Sequence, residues 1–144
     1  MLQLAEVVAR TGCSEAALKE WVRQGVIIPL RIRRGSGNHA TYDDANLVAV
    51  TAVRELLALG IVPKRVREQF LRLHELLRSR SSLGWRGMRV IMTRENVVFE
   101  SDVHATADPT AVTLILDLDR MAKGLVAPEP DPQLSLQFGI ASVQ

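Results

Sequence analysis

Leu4, Val7 and Val8 stand at helical spacing over residues 3–10, and Gly12 follows as a stop signal. Two residues later, Ser14 can cap a second helix through its hydroxyl, with Glu15 favourably placed in the positive first turn. That helix carries Leu18, Trp21 and Val22 and ends at Gly25, and the spacing of Trp21 from Leu18 places its indole in the core. Only residues 11–13 join the two helices, so the pattern predicts a sharp helix-turn-helix crossing. Residues 26–34 and 39–42 read as two short extended pieces around Gly35-Ser36-Gly37-Asn38, the pattern of a β-hairpin. Asp43 or Asp44 then caps a third helix over about 45–59, stopped by Gly60, and Pro63 suits the first turn of a fourth. On that fourth helix Val66, Phe70, Leu73 and Leu77 form a short heptad-like stripe.

Residues 79–87, rich in Ser, Arg and Gly, mark a boundary. Beyond them residues 89–93 and 97–100, around a Glu95-Asn96 turn, predict a second hairpin. Asp108-Pro109 opens a predicted helix that runs to about residue 123, where Gly124 ends it. Pro128, Pro130 and Pro132 make an extended linker, and Leu134, Leu136, Phe138 and Ile140 then alternate with other residues like one face of a strand. That strand is expected to complete a three-stranded sheet with the second hairpin, or to add to a partner's sheet edge. The fold class expected is therefore mainly α with small β. A winged helix-turn-helix occupies residues 1–80, and a small α+β appendage of hairpin, helix and terminal strand occupies residues 85–144.

Composition narrows the function classes. The chain has 144 residues, 47% of them hydrophobic and 24% charged, which is ordinary globular composition for one domain or a small domain with an appendage. Aromatics make up only 4%, too few for a surface of stacked rings that binds single strands. Cys13 is the lone cysteine, so an intramolecular disulfide is excluded and a reduced, cytoplasmic setting is expected. The first residues lack the pattern of a signal peptide, and the most apolar stretch, 47–62, is broken by Thr51, Arg54 and Glu55, so no membrane span is expected. The net charge of +2 hides an asymmetry: residues 1–80 hold 13 Lys/Arg against 8 Asp/Glu, and residues 81–144 hold 5 against 8. A basic front half fits a polyanionic partner, and the acidic back half has a different task.

The basic residues have positions as well as numbers. Arg31, Arg33 and Arg34 sit on one strand of the first hairpin, with Arg31 and Arg33 on the same face by the two-residue period. Guanidinium groups there can bridge phosphates or enter a narrow minor groove. Lys19 and Arg23, four apart, share a face of the second helix, and Ser14 and Glu15 lie at its N-terminus, where recognition helices touch bases and phosphates. Lys64, Arg65 and Arg67 open the fourth helix. The order helix-turn-helix, basic hairpin, helix, helix is a winged-helix plan, and the residues resemble the MerR-type regulators. The matching text is Leu4-Ala5-Glu6-Val7-Val8-Ala9-Arg10-Thr11-Gly12-Cys13-Ser14, Leu18-Lys19-Glu20-Trp21 and Gly25-Val26-Ile27-Ile28-Pro29, continued by Tyr42 and Leu59-Gly60-Ile61. The resemblance covers roughly residues 1–78. It implies that the second helix enters the major groove while the hairpin touches neighbouring backbone or minor groove. By position it assigns DNA contacts to Lys19 and His39, each standing where an arginine is usual, and puts Tyr42 near phosphate, while the wing's usual Gly-Tyr-Arg reads Gly37-Asn38-His39. Glu20 stands where the family usually has an aromatic.

Catalytic and metal-binding patterns are absent. His39, His74 and His104 have no metal-type spacing, and His74 reads as an ordinary core or surface histidine. With no cysteine among residues 81–144, thiolate metal sensing of the mercury type is not expected. No phosphate-cradling glycine motif or hydrolase elbow occurs, so no enzyme activity and no cofactor are expected. The expected function is a sequence-specific regulator of transcription that grips double-stranded DNA as a homodimer through Ser14, Glu15, Lys19, Arg23, Arg31, Arg33, Arg34, Asn38, His39, Tyr42, Lys64 and Arg65. The alternative is an antitoxin-like DNA-binding protein whose residues 85–144, through Leu134, Leu136, Phe138 and Ile140, bind and neutralise a second protein.

Overall fold

The computed structural model describes residues 1–32, 39–102 and 112–123. Helix α1 spans Leu4–Thr11 and α2 spans Glu15–Arg23. A two-stranded antiparallel sheet follows, β1 (Arg31–Ile32) against β2 (Ala40–Thr41), with Arg31 opposite Thr41 and Ile32 opposite Ala40. Helix α3 spans Asp44–Ala58, a 3-10 turn covers Pro63–Val66, and α4 spans Arg67–Arg78. A second 3-10 turn, Ser82–Trp85, leads to β3 (Arg89–Met92) and β4 (Val97–Phe99). The described chain closes with β5 (Leu114–Asp117) and α5 (Leu118–Lys123).

Local chemistry fixes most of these boundaries. Ser14 Oγ accepts the Ala17 N–H at 3.0 Å, and Asp43, not Asp44, caps α3 by accepting the Asn46 N–H at 3.1 Å. Gly12 ends α1 in the left-handed region (φ 73°), where a Cβ would lie 3.0 Å from the Arg54 guanidinium. That guanidinium donates to the Thr11 carbonyl and so occupies the negative end of α1. Pro63 opens the 3-10 turn ahead of α4, where its missing N–H is harmless.

The core is one cluster. Helix α3 supplies Ala45, Leu47, Val48, Ala49, Val50, Ala52 and Val53 to it, so this helix is buried nearly all round. Phe70, Leu73 and Leu77, the stripe on α4, are fully buried, and α4 packs on α3 and β4 of its own chain. Trp85 turns inward from the 79–87 segment, and its Nε1 donates to the Leu77 carbonyl at 3.2 Å. Val90, Met92, Phe99 and Leu118 extend the same cluster to the C-terminal sheet.

That sheet departs from expectation. Its strand order is β4-β3-β5, with β3 antiparallel to both neighbours. The third strand is Leu114–Asp117, a stretch expected to be helical, and the helix begins only at Leu118. Leu114, Leu116 and Leu118 turn toward the core while Ile115 is 53% exposed, which is a two-residue period. The same apolar run fits a helical period, and such short runs are ambiguous until a partner strand is known. Here β3 supplies the partner, and the Asp117 carboxylate caps the helix by accepting the Arg120 N–H at 3.1 Å. Both edges of β3 are therefore filled without residues 134–140. The expected tail strand (Leu134, Leu136, Phe138, Ile140), the Pro-spaced linker and residues 108–111 of the expected helix lie outside the described residues.

Candidate nucleic-acid interface

The corner between α1 and α2 is locked from within. Thr11 Oγ1 donates to the Val7 carbonyl at 2.7 Å and accepts the Cys13 N–H at 3.4 Å. Cys13 is buried in this corner, so its thiol is a packing group. From the corner, α2 turns Leu18 and Trp21 into the core, at 0% and 8% exposure, which leaves Ser14, Glu15, Lys19 and Arg23 on its exposed side. The sequence period alone predicts this division.

Each cation of that face is paired with a carboxylate of its own helix. Lys19 Nζ lies 2.9 Å from Glu15, and Arg23 Nε donates to Glu20 at 2.8 Å. Glu20 also accepts from Gln24 Nε2 at 2.9 Å. These bonds, Arg23 first and Gln24 next, together with the charge of Lys64, hold the Glu20 carboxyl far down, at about 2. The carboxylate that stands in place of an aromatic thus stays ionised, with its charge compensated by Arg23. The pairs are exposed and screened by salt, so a phosphate can displace them.

The 3-10 turn Pro63–Val66 leads directly into Arg67, which lies at the end of α2, and the charge of Lys64 contributes a little to lowering the Glu20 pKa. Lys64 and Arg65 are exposed there, and neither forms an ion pair among the described residues. Arg67 joins them. Its Nε lies 2.8 Å from where a Cβ of Gly25 would be, so the guanidinium packs over the bend that ends α2, a bend with φ 76°. Sequence reasoning left Arg67 out of the site. The only available signal was its spacing of three from Lys64, which gave no reason to connect it with Gly25.

The small hairpin is held at its root by groups distant in sequence. Ile28 donates its N–H to His74 Nε2 at 3.3 Å, and its carbonyl accepts from Asn46 Nδ2 and Arg78 Nη2, each at 2.7 Å. Arg78 is in turn paired with the α3 cap, Asp43, at 2.8 Å. His74 Nδ1 lies 2.7 Å from the Phe70 carbonyl. With Nδ1 donating to that carbonyl and Nε2 accepting from Ile28, the ring is the neutral Nδ1–H tautomer. Burial pushes its pKa down to about 4; the Phe70 bond and the Asp43 charge oppose the shift and Arg78 adds to it. Two residues after Ile28 the sheet begins, with the Leu30 N–H on the Thr41 carbonyl at 2.9 Å. His74, Asn46 and Arg78 thus set the hairpin against α3 and α4.

Of the expected hairpin contacts, Arg31 and His39 are exposed, while Arg33, Arg34 and Asn38 lie outside the described residues. Tyr42 is 3% exposed and its backbone pairs with Leu2. Burial raises its phenol pKa, and the hydroxyl makes no hydrogen bond among the described residues. The described residues contain no group of three or more His, Cys, Asp or Glu that could hold a metal ion, and no helix long and apolar enough to cross a membrane. A family model described as MerR HTH family regulatory protein matches residues 2–73, which is α1 through most of α4. No curated protein matches the chain.

Proposed function

The chain belongs to the MerR HTH family of regulatory proteins, and from that premise we propose that it is a sequence-specific regulator of transcription that binds double-stranded DNA as a dimer. The observation that carries this reading is the two-sided character of α2. Its apolar side is sealed by Leu18 and Trp21, and its exposed side carries Lys19 and Arg23, with Lys64, Arg65 and Arg67 around its C-terminal end. In this reading α2 lies in the major groove with Ser14 and Glu15 leading, and Lys64, Arg65 and Arg67 meet the phosphates that flank it. Arg31 and His39 reach backbone or minor groove, and Arg33, Arg34 and Asn38, outside the described residues, are assigned to the same DNA contact by their place in the sequence. Tyr42 contributes through its hydroxyl alone, because its ring belongs to the core.

Magnitude argues for two copies. Single cations on phosphate give sequence-independent binding in the micromolar range or weaker at physiological salt. Two protomers on half-sites about 34 Å apart, or a multiple of that, convert it into useful discrimination. The test is duplex affinity against salt, followed by selection of bound sites from a random pool. Neutralising about five phosphates per protomer predicts a log–log slope near −4 to −5 per protomer, and selected sites with paired half-sites. A slope near zero, or a selected pool without a common sequence, refutes the reading.

A further inference from the structure

Between α1, the start of α3 and the C-terminal unit lies a cleft of about 320 Å³. Leu47, Val48, Trp85 and Leu118 give it apolar walls, and Arg10 and Arg86 line it as cations. Neither guanidinium has a hydrogen bond or ion pair among the described residues. Two carboxylates also line the cleft, and each has another engagement. Asp119 accepts the Gly87 N–H at 2.9 Å, and Asp44 sits in the first turn of α3, where the positive helix end holds a negative charge.

We propose that this cleft binds a small organic carboxylate with an apolar body, held by Arg10 and Arg86. The apolar walls call for a body that gains from leaving water. The unpaired guanidiniums call for an acceptor that takes a fork of two hydrogen bonds, which a carboxylate does. A bare inorganic anion leaves the walls uncovered, and a neutral apolar compound leaves the cations unmatched. The volume is at the bottom of the roughly 300–1,000 Å³ range of small-molecule sites, so a one-ring body with a short chain is the right size. Helix α1, which contributes Arg10 to the cleft, packs on both α2 and α3. The binding itself does not depend on the DNA-binding reading.

The experiment titrates the full ¹⁵N-labelled chain, without DNA, with 4-phenylbutyrate, its alcohol 4-phenylbutanol, and inorganic phosphate. Trp85 lines the cleft and Trp21 does not, so the two indole N–H signals are probe and control. The expected result is a saturable shift of the Trp85 indole and the Leu118 amide with 4-phenylbutyrate, an unmoved Trp21, and at least tenfold weaker binding of the alcohol and of phosphate. Arg10→Gln, and separately the exposed-site change Arg86→Gln, each weaken 4-phenylbutyrate at least tenfold with the Trp21 signal preserved. Equal binding of alcohol and acid, the same shifts from phosphate, or shifts at Trp21 as large as at Trp85 overturn the proposal. So does full affinity in both variants. Absence of any saturable shift at millimolar probe also overturns it.

Discussion

His74 ties α4 to the root of the hairpin, and its titration makes the fold acid-sensitive in a defined window. The ring binds a proton at about pH 4 in the folded chain, against about 6.5 for an ordinary histidine. The unfolded chain therefore holds more protons between those values, and stability rises with pH across the window. The contribution is present in full above about pH 6.5 and is lost as pH falls toward 4. The full shift corresponds to about 3 kcal/mol, of which about 2 kcal/mol is lost between pH 7 and pH 5, where most carboxylates are still ionised. Protonation also removes the acceptor of the Ile28 N–H, so the cost falls on the hairpin root. The assay is urea unfolding at pH 7, 6 and 5, followed through the two buried tryptophans, for the natural chain and for His74→Gln. Glutamine retains a donor for Phe70 and an acceptor for Ile28 but does not titrate. The neighbouring Asp43–Arg78 pair is common to both proteins, so the difference between the two profiles isolates the imidazole. Parallel profiles, or an NMR titration of His74 centred near 6.5, refute the reasoning.

Other outcomes follow from the same geometry. Lys64→Gln lowers duplex affinity about equally on all sequences and reduces the salt slope by about 1, checked by fluorescence anisotropy at several salt concentrations. Glu20→Gln releases Arg23 and removes the one carboxylate at the C-terminal half of the α2 face, so the same assay shows tighter binding and a steeper slope; weaker binding contradicts a groove-facing role for Arg23. Ser14→Ala removes the α2 cap and destabilises the chain by about 1 kcal/mol in chemical denaturation. Arg78→Met unpairs Asp43 and takes one donor from the Ile28 carbonyl; for a half-buried pair this costs about 1–3 kcal/mol, read by denaturation together with loss of hydrogen-exchange protection at Leu30.

Much of the helix-turn-helix was legible because its determinants are neighbours along the chain. Gly12 supplies the left-handed stop and Ser14 the cap three residues before Ala17, while the sequence narrowed the cap of α3 to Asp43 or Asp44 and the structure chose Asp43. The stripe of Phe70, Leu73 and Leu77 marks the buried side of α4 whatever it packs against. The cations of the site were equally visible, as residue types at the expected spacings. Their electrostatic state was legible only in part: Arg23 and Gln24, which dominate the low pKa of Glu20, are its neighbours on the helix, while the smaller contribution of Lys64 comes from 44 positions away.

The sequence alone therefore determined helices α1 to α4, the cap of α2 and the cationic positions of α2, since each depends on residues within about one turn. Tertiary structure decided what depends on partners far away in the chain. Leu114–Asp117 is a strand because β3 has a free edge for it, although its apolar pattern serves a helix as well. Tyr42 is buried, its backbone paired with Leu2, and His74 stays neutral because burial disfavours its charged form. Arg67 joins the site because Gly25 leaves room for its guanidinium. In each case the deciding quantity is burial or a contact between segments that local spacing does not encode.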